Sequence, residues 1–452
     1  MVRVAINAAL MRSVLLLLCL LALPVGAAEP SKPSRPVVLK AARLFDAKAG
    51  KLVTPGLVVV VEGKISAVGP RATVPAGAQV IELGDATLLP GFIDAHTHIT
   101  GEPGEDWRQD VIDDMQRTIA EQTLDALPLA RATLMAGFTT VRNLGAQDFV
   151  DVGLRNGIRR GLAPGPRILA ATSGLGTTGG HCDSGNAWRK GLLAQQSGAG
   201  VADGPDALRA KVRDNIKYGA DVIKVCATGG VLSLNADVDS PQLTQAELDA
   251  IVDEAHSRKR KVAAHAHGAE GAKRAIRAGV DSVEHGSFLD DEALDLMKKK
   301  GTFYVPTAMA LHGVRERFEK GLLAPPQVPK FHAAYAAAKQ TLSKAVSRGV
   351  RVAFGTDAGV FSHGRNAGEF ALLVEAGMTP ANALRAATTV NAELLGVSDR
   401  LGSLEAGLLA DVIAVPGDPL QDIRRTEQVF FVMKEGVVYR DDRAPVAPVG
   451  AR

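Results

Sequence analysis

The sequence predicts an α/β protein: a distorted (β/α)8 TIM barrel with a small β-sandwich built from both chain termini. Eight short apolar runs alternate with amphipathic stretches through the middle of the chain, a pattern typical of parallel strands joined by helices. Shorter β-like runs, punctuated by Gly and Pro, lie near each end. Neither end holds enough of them for an independent sheet, so the two ends are expected to share one sandwich.

The composition is that of a large globular enzyme-sized chain. Its 452 residues are 46% hydrophobic and 22% charged, which provides for a sizeable core and argues against disorder. The formal net charge of +3 argues against a nucleic-acid partner, which would favour a basic stripe. Aromatic residues make up only 4% of the chain, so a base-stacking surface is not expected.

The N-terminus has the pattern of a targeting segment. In residues 1–28, Arg3 and Arg12 precede and flank an apolar run over 13–23, and small residues follow at the expected cleavage site. The alternative, a membrane anchor, is disfavoured because a span needs roughly 20 apolar residues. We therefore expect a cleaved signal peptide, a periplasmic or secreted mature protein and no membrane partner. Residues 29–36 (EPSKPSRP) are interpreted as a linker.

The remaining chain divides into three predicted parts. Residues 37–86 and 403–452 supply the sandwich, and residues 87–402 supply the barrel. The long Gly-rich segment 173–215 is predicted to be a functional loop. The predicted barrel strands are Leu88–Ile99, Thr139–Leu144, Ile168–Thr172, Val222–Ala227, Val262–His267, Ser282–His285, Phe303–Ala308 and Val350–Gly355.

The first predicted barrel strand ends in two histidines. His96 and His98 lie two positions apart in GFIDAHTH, so they share one face of the strand. In a barrel, that face points inward at the end where active sites form. Converging imidazoles are common metal ligands, although two surface histidines remain an alternative for this motif alone.

Other strand ends strengthen the metal interpretation. Lys224 lies in the apolar strand DVIKVC, where an unpaired ammonium is costly. Further chemistry-bearing residues end the later strands: His265 and His267 in HAHG, His285 in EHG, and Asp357 in GTDAG. Their common position at strand ends favours a metal site over a set of structural core histidines.

Together these motifs resemble the amidohydrolase superfamily, and within it imidazolonepropionase-like and prolidase-like enzymes, including the Xaa-Pro dipeptidase and ochratoxin-hydrolysing types. The resemblance rests on LLPGFIDAHTH, IKVCATGG, HAHG, EHG and GTDAG and covers nearly all of the chain after residue 28. It implies two divalent metal ions, usually zinc. The implied ligands are His96, His98 and Asp357 for one ion and His265 and His285 for the other, with Lys224, carboxylated by CO2, bridging both.

The resemblance also implies an activity. Metal-activated water would attack an amide carbonyl, and Asp357 would carry the proton to the leaving nitrogen. Expected substrates are dipeptides and N-acyl or N-aroyl amino acids such as ochratoxin-like amides. A cyclic amide or lactone hydrolase of the imidazolonepropionase type is the alternative, and a non-enzymatic binding barrel is disfavoured by the complete ligand set. Relatives commonly form closed homo-oligomers, so a homo-oligomer is expected.

Three residues are predicted to contact substrate. His267 lies one pleat beyond His265, towards the barrel mouth, and metal ligation in place of His265 is its alternative role. His181 lies in a Gly-Gly-His element of the long loop. A loop-ordering role for His181 is an equal alternative. Arg142, at the end of the second strand, is suited to binding a substrate carboxylate through two hydrogen bonds, and a structural ion pair is its alternative.

Two features of the pocket region have competing interpretations. Cys182 and Cys226 would remain after signal removal, and an oxidising compartment would permit a disulfide between them. Cys226 shares a face with Lys224, and we expect it to be a small buried apolar side chain rather than a pocket thiol. Residues 174–179 match G-x-G-x-x-G, but a dinucleotide site requires a helix at that point, so a pocket-shaping loop is expected instead.

Overall fold

The computed structural model describes residues 35–186, 188–190, 199–234 and 236–443. The predicted signal peptide, all but the last two residues of the predicted linker, and the final nine residues lie outside these ranges. Within the described part, every helix is too short or too polar to cross a bilayer.

Strands and helices alternate through most of the described chain. The strands are β1 (Val37–Ala41), β2 (Arg43–Asp46), β3 (Lys51–Val53), β4 (Gly56–Val61), β5 (Lys64–Val68), β6 (Gln79–Glu82), β7 (Ala86–Pro90), β8 (Phe92–Thr97), β9 (Phe138–Asn143), β10 (Arg167–Ala170), β11 (Val222–Cys226), β12 (Lys261–Gly268), β13 (Ser282–Phe288), β14 (Phe303–Val305), β15 (Val412–Pro416), β16 (Phe431–Lys434) and β17 (Val437–Asp441). The α-helices are α1 (Trp107–Gln116), α2 (Ile119–Met135), α3 (Val150–Arg159), α4 (Pro205–Lys217), α5 (Gln245–Ser257), α6 (Ala269–Ala278), α7 (Asp291–Lys300), α8 (Ala308–Glu319), α9 (Gln327–Ser347), α10 (Gly368–Glu375), α11 (Pro380–Arg385) and α12 (Asn391–Leu395), with a π-helical turn at Ala386–Val390 and a 3-10 turn at Ile423–Gln428.

Strands from both ends of the chain share one sheet. The six-stranded sheet runs β17-β16-β15-β7-β2-β3, and β1, β4, β5 and β6 form a second sheet of four strands. In the larger sheet, Leu89 of β7 pairs with Ile413 of β15. Leu39, Leu88 and Val412 belong to a single apolar cluster formed by both sheets. Burial of this shared cluster holds the two ends of the chain together.

The central strands are parallel and form two groups. One sheet runs β10-β9-β8 and the other β11-β12-β13-β14. Isolated parallel bridges lie at their edges, joining Leu175 to Val225 and Thr97 to Ala358. At least one helix lies between each successive pair of strands from β8 to β14, which is the α/β alternation expected from the sequence.

Two predicted strands differ in the structure. The run expected over Leu88–Ile99 is divided at Gly91 into β7, which belongs to the terminal sheet, and β8, which pairs with β9. A Cβ at Gly91 would lie 2.2 Å from Thr139 Oγ1, so the chain passes between sheets where no side chain fits. The eighth predicted strand, Val350–Gly355, is not a continuous strand in the structure. Val352 forms an isolated parallel bridge with Tyr304, and on the other side Ala95 N–H donates to the Phe354 carbonyl at 3.0 Å.

The helix that follows β11 begins where the sequence predicts it. Thr244 Oγ1 accepts from the backbone N–H of Glu247, and Glu247 Oε2 accepts from the backbone N–H of Thr244, which is a complete capping box. Glu247 also accepts from Gly204 N–H, at the N-terminus of α4. One buried carboxylate therefore orders the starts of two neighbouring helices.

Candidate active site

The ends of the parallel strands open into one cavity of about 730 Å³. It brings together most of the polar residues that the sequence places at strand ends, because parallel strands present their carboxyl ends on the same side. The predicted site residues that line it are His98, His181, Lys224, His265, His267, His285 and Asp357. His96 lies directly behind them and is fully buried.

Three of these side chains converge tightly. His96, His285 and Asp357 each offer one ligand atom, and these atoms all lie within 4.8 Å of one another. The Nε2 atoms of His96 and His98 lie 3.3 and 3.2 Å from Asp357 Oδ1. The His-x-His pair and the strand-end aspartate therefore meet at one point, as their positions in the sequence predict.

Asp357 is held in an unusual backbone conformation. Its φ is +61°, in the left-handed region that non-glycine residues seldom adopt, and its N–H donates to the carbonyl of His96 at 2.7 Å. Its buried Oδ1 makes no well-formed hydrogen bond within the described chain. Burial raises the pKa of this carboxyl, yet the facing imidazoles of His96 and His98 outweigh burial and hold the pKa well below its usual range.

A buried carboxylate orients His96 from behind. Glu284 Oε2 accepts from His96 Nδ1 at 2.8 Å, and its Oε1 accepts from Arg142 Nη2 at 2.9 Å. Burial alone would raise the pKa of Glu284, but Arg142 and His96 lower it to about 2, so it is an anion. Because Nδ1 of His96 carries the donated proton, its Nε2 lone pair points towards the cluster.

The predicted substrate contact of Arg142 is wrong. Its side chain is fully buried and is absent from the lining of the cavity. Its guanidinium instead donates to Glu284, to Ser282 Oγ at 3.1 Å and to the Ala95 carbonyl. Arg142 instead forms the structural ion pair that was its alternative role, with Glu284 as the partner. A fully buried guanidinium requires such an anionic partner.

His265 and His285 are fixed by polar partners on the sides away from the cluster. His265 Nε2 donates to the Gly229 carbonyl at 2.9 Å, which leaves Nδ1 as the acceptor. His285 has a φ of +69°, and its Nδ1 is hydrogen-bonded to Thr307 Oγ1 at 2.7 Å. Burial lowers the pKa of both imidazoles well below the usual value. Both are therefore neutral, as metal-ligating imidazoles must be.

Lys224 projects from β11 into the same cluster. Its Nζ lies 3.5 Å from His96 Nε2, and only 4% of the residue is exposed. Burial lowers the pKa of this amine to about 8, although Glu284 and Asp357 act in the opposite direction. About a tenth of the amine is thus uncharged at pH 7, far more than for an exposed lysine, and the uncharged form is the one that reacts with electrophiles.

His267 and His181 lie beside the cluster. His267 Nδ1 is hydrogen-bonded to Ser287 Oγ at 2.9 Å, and burial lowers its pKa to about 4. The His181 ring stacks on that of His265, with centroids 4.1 Å apart, and burial lowers its pKa to about 3. Both line the cavity as neutral imidazoles, which supply hydrogen bonds without a fixed charge.

The cysteine prediction needs correction. Cys226 is not a free buried apolar side chain: it forms a disulfide with Cys182, and the two Cα atoms lie 5.8 Å apart. The sequence permitted a Cys182–Cys226 disulfide without requiring it, and the structure contains this disulfide. The described residues of the glycine-rich match, 174–179, form no helix, so the structural condition for a dinucleotide site is unmet there.

Several supporting residues escaped the sequence analysis. Glu284 could have been identified from the sequence, since a carboxylate next to Val283 in an apolar strand requires a buried partner. The hydroxyl groups of Ser287 and Thr307 carried none, because serine and threonine are common in any loop or strand. Their roles depend on which imidazole they meet in space.

The donor set fits a divalent metal ion. Imidazoles, one carboxylate and a buried lysine converge, and the Oδ1 of Asp357 makes no well-formed hydrogen bond within the described chain. Imidazole nitrogen with carboxylate oxygen is the ligand combination of zinc and related transition metals. A cation would give Asp357 the partner that the protein does not supply.

Known proteins show the same architecture. Residues 87–440 match the Amidohydrolase family. Ochratoxinase of Aspergillus niger is 33% identical over 371 residues, which cover 78% of this chain and 75% of that protein. Imidazolonepropionase of Symbiobacterium thermophilum is 26% identical over 391 residues, covering 81% of this chain and 85% of that protein. A crystal structure of a Xaa-Pro dipeptidase with methionine bound in its active site is 40% identical with a TM-score of 0.82, covering 90% of this chain and 100% of that one.

These similarities confirm the superfamily that the motifs indicated, and they place the α/β fold among amidohydrolase structures of the TIM-barrel type. The chain belongs to the amidohydrolase family and is a hydrolase acting on amide C–N bonds.

Proposed function

We propose that this protein is a binuclear metal-dependent hydrolase that cleaves amide bonds of small, carboxylate-bearing substrates. The observation that carries the proposal is the convergence of His96, His285 and Asp357 within 4.8 Å. Lys224 Nζ lies beside the same group, 3.5 Å from His96 Nε2. The frame for this site is the closed, distorted (β/α)8 barrel, with the sandwich of both termini beside it.

The proposed ligands form two sets. His96, His98 and Asp357 would hold one ion, and His265 and His285 would hold the other, with zinc the favoured metal. Lys224, as a carbamate, would supply an anionic ligand to both. Its neutral amine attacks CO2 to form an N–C bond and releases one proton, which converts a costly buried cation into a bidentate anionic ligand. Its lowered pKa, about 8, supports this chemistry.

The ions, when bound, supply Lewis acidity for the amide carbonyl and lower the pKa of the attacking water. Asp357 is the acid–base group: it accepts the proton of that water and delivers it to the leaving nitrogen. Its carboxylate lies in the middle of the proposed ligand group, with Oδ1 3.3 Å from His96 Nε2 and 3.2 Å from His98 Nε2. His267 and His181 are proposed to donate to the substrate or to the developing oxyanion.

The rest of the cavity supports small amides with an apolar side chain. Its walls include Leu129, Val231, Leu232, Leu311, Val314 and Val360. Similarity to a Xaa-Pro dipeptidase and to an ochratoxinase supports dipeptides and N-acyl or N-aroyl amino acids. Since Arg142 is buried, we propose that Arg117, at the edge of the same cavity, meets the substrate carboxylate.

The second candidate activity is hydrolysis of a cyclic substrate. Hydrolysis of a cyclic amide or lactone would use the same metal ligands, and the similarity to imidazolonepropionase favours it. We rank it second because the identity is lower than to the ochratoxinase and to the dipeptidase structure. We further propose a periplasmic or secreted location, a homo-oligomeric assembly and no nucleic-acid partner.

The test combines metal removal with a substrate panel. The full chain is stripped with a chelator and reloaded with zinc in the presence and absence of bicarbonate. It is then assayed on Xaa-Pro and other dipeptides, N-acyl and N-aroyl amino acids, and a cyclic amide. We expect two zinc ions per chain and activity on linear amides that bicarbonate enhances. Activity on the cyclic amide alone would establish the second candidate, and turnover unaffected by chelation would overturn both.

A further inference from the structure

We propose that the Cys182–Cys226 disulfide is a positioning element of the active site, which holds His181 against the metal cluster so that full activity requires the oxidised form. The inference rests on the proposed function, because it concerns the rate of that same reaction. It goes beyond it in assigning a role to a covalent bond that is neither a metal ligand nor an acid–base group.

The disulfide joins the two segments that bring His181 and Lys224 together. Cys182 follows His181 directly in the long loop, and Cys226 lies two residues after Lys224, on the same face of β11. Upstream, Leu175 already pairs with this strand: its N–H donates to the Lys224 carbonyl at 2.8 Å. The disulfide adds a second attachment, next to the functional histidine itself.

The loop packs closely around Cys182. A Cβ at Gly174 would lie 2.8 Å from Cys182 Sγ, and one at Gly176 would lie 2.9 Å from Cys182 Cβ. Both positions therefore require glycine for the loop to fold over the disulfide. The bridge is built into the wall of the cavity, which both cysteines line.

His181 makes three non-covalent contacts on its other sides. Its ring stacks on His265, its Nδ1 is hydrogen-bonded to Ser233 Oγ at 2.6 Å, and its N–H donates to Gln242 Oε1 at 2.8 Å. Ser233 belongs to the opposite loop, whose carbonyl groups accept hydrogen bonds from Lys330 Nζ. The ammonium group of Lys330 thus holds that loop in place, and the disulfide attaches the His181 loop to β11.

Reduction would remove only this anchor. A dithiol or phosphine donates two electrons to the S–S bond, which breaks. A dithiol supplies the two protons of the new thiols and leaves as its own disulfide, whereas with a phosphine water supplies both protons and the oxygen of the phosphine oxide. Cys182 is partly exposed and both sulfur-bearing residues line the cavity, so a small reductant has access. Displacement of His181 by about 1 Å would lower kcat/KM by about 10- to 100-fold, mainly through kcat.

The decisive experiment is a double-mutant cycle with four metal-loaded proteins: wild type, C182S/C226S, His181→Asn, and the combined variant. If the disulfide acts through His181, its loss lowers kcat/KM by at least about tenfold in the wild-type background and less than about twofold when His181 is already Asn. Equal losses in both backgrounds, or no loss in either, would overturn the inference. Zinc content and melting temperature are measured for each protein, so metal loss or unfolding is recognised.

A second measurement uses folded wild-type protein, since the cysteine variants need to fold without the bridge. Phosphine reductant is added and removed in zinc-buffered solution, with C182S/C226S as the control for effects on the metal. We expect a reversible fall in kcat in wild type alone, with faster amide hydrogen exchange over residues 180–183. Unchanged exchange and kcat after verified reduction would contradict the proposal. Oxidised, zinc-loaded wild type that hydrolyses no amide would instead refute the proposed function, and the exchange result would still test the positioning.

Discussion

Glu284 and His96 form a fully buried carboxylate–imidazole pair, with 2.8 Å between Oε2 and Nδ1. Arg142 neutralises the second oxygen of the same carboxylate at 2.9 Å. These side chains determine which nitrogen of His96 faces the cluster, because the ionised carboxylate accepts a hydrogen bond from Nδ1 and leaves the Nε2 lone pair on the other side of the ring. Through this pair, residues buried behind the cavity determine how His96 faces the site.

Replacement of this carboxylate should weaken metal binding. We expect Glu284→Gln to lower zinc affinity by about 10- to 100-fold, measured by competition with a fluorescent chelator, since His96 loses its fixed tautomer. Glu254→Gln is the matched control, because Glu254 is a buried carboxylate bound to arginines outside the site. Equal zinc affinity in wild type and Glu284→Gln would contradict the orienting role.

Asp357 should separate catalysis from metal binding. Asp357→Asn keeps the side-chain shape and one oxygen ligand but cannot accept a proton, so we expect kcat to fall by at least about 100-fold. Zinc content, measured by mass spectrometry, should stay at half or more of the wild-type value. Activity near that of wild type in this variant would refute the acid–base assignment.

Arg117 is expected to select substrates with a free carboxylate. Its guanidinium lines the cavity and pairs with Asp113 at 3.0 Å and Asp125 at 3.6 Å. Arg117→Gln should raise KM for dipeptides about tenfold, the cost of one hydrogen bond to a charged group at a partly exposed site, with kcat little changed. Dipeptide amides, which lack the carboxylate, should show no such increase, and Arg160→Gln on the exposed end of α3 is the control. A similar rise in KM for both substrate classes would argue against carboxylate recognition.

Acid should destabilise the metal-free protein through its buried histidines. Burial lowers the pKa of His267 to about 4, whereas an unfolded imidazole titrates near about 6.5. Because the unfolded chain binds more protons between these values, this contribution to stability is complete above about pH 6.5 and is lost as the pH falls towards 4. For His267 the loss at pH 5 is about 2 kcal/mol.

Urea unfolding of the metal-free protein at pH 8 and pH 5 measures this loss. His267→Gln removes the titrating ring and should narrow the difference in unfolding free energy between the two pH values by about 2 kcal/mol. The exposed His256 provides a control, since its replacement by Gln leaves the buried cluster intact. If the unfolding free energy changes as much between pH 8 and pH 5 in His267→Gln as in wild type, His267 is not the source of the acid sensitivity.

The residues at strand ends were predictable because a strand has a fixed side-chain period. His96 and His98 share a face through that period, and the position of Asp357 after the last apolar run places it at the same end. Parallel strands then bring such ends together whatever the loops do. The structure shows this convergence as a distance of at most 4.8 Å between the ligand atoms of His96, His285 and Asp357.

The breaks in the pattern were less predictable. Gly91 divides one apolar run between two sheets. The residue types in Leu88–Ile99 do not indicate that its two halves pair with different strands. The run Val350–Gly355 has strand-like composition, yet it forms an isolated bridge and separate backbone hydrogen bonds rather than a regular strand. Strand pairing depends on neighbours that lie far away in the chain, and a single sequence does not contain that information.

The sequence by itself determined the α/β alternation, the family and the set of chemistry-bearing residues, because periodicity and motif spacing are local properties of the chain. Only the tertiary structure decided what those residues meet. Arg142 and Glu284 are 142 positions apart, and their contact converts a predicted substrate ligand into a buried support for His96. Cys182 and Cys226 likewise become a disulfide in the cavity wall because the fold brings their backbones within bonding distance, which no residue type can specify alone.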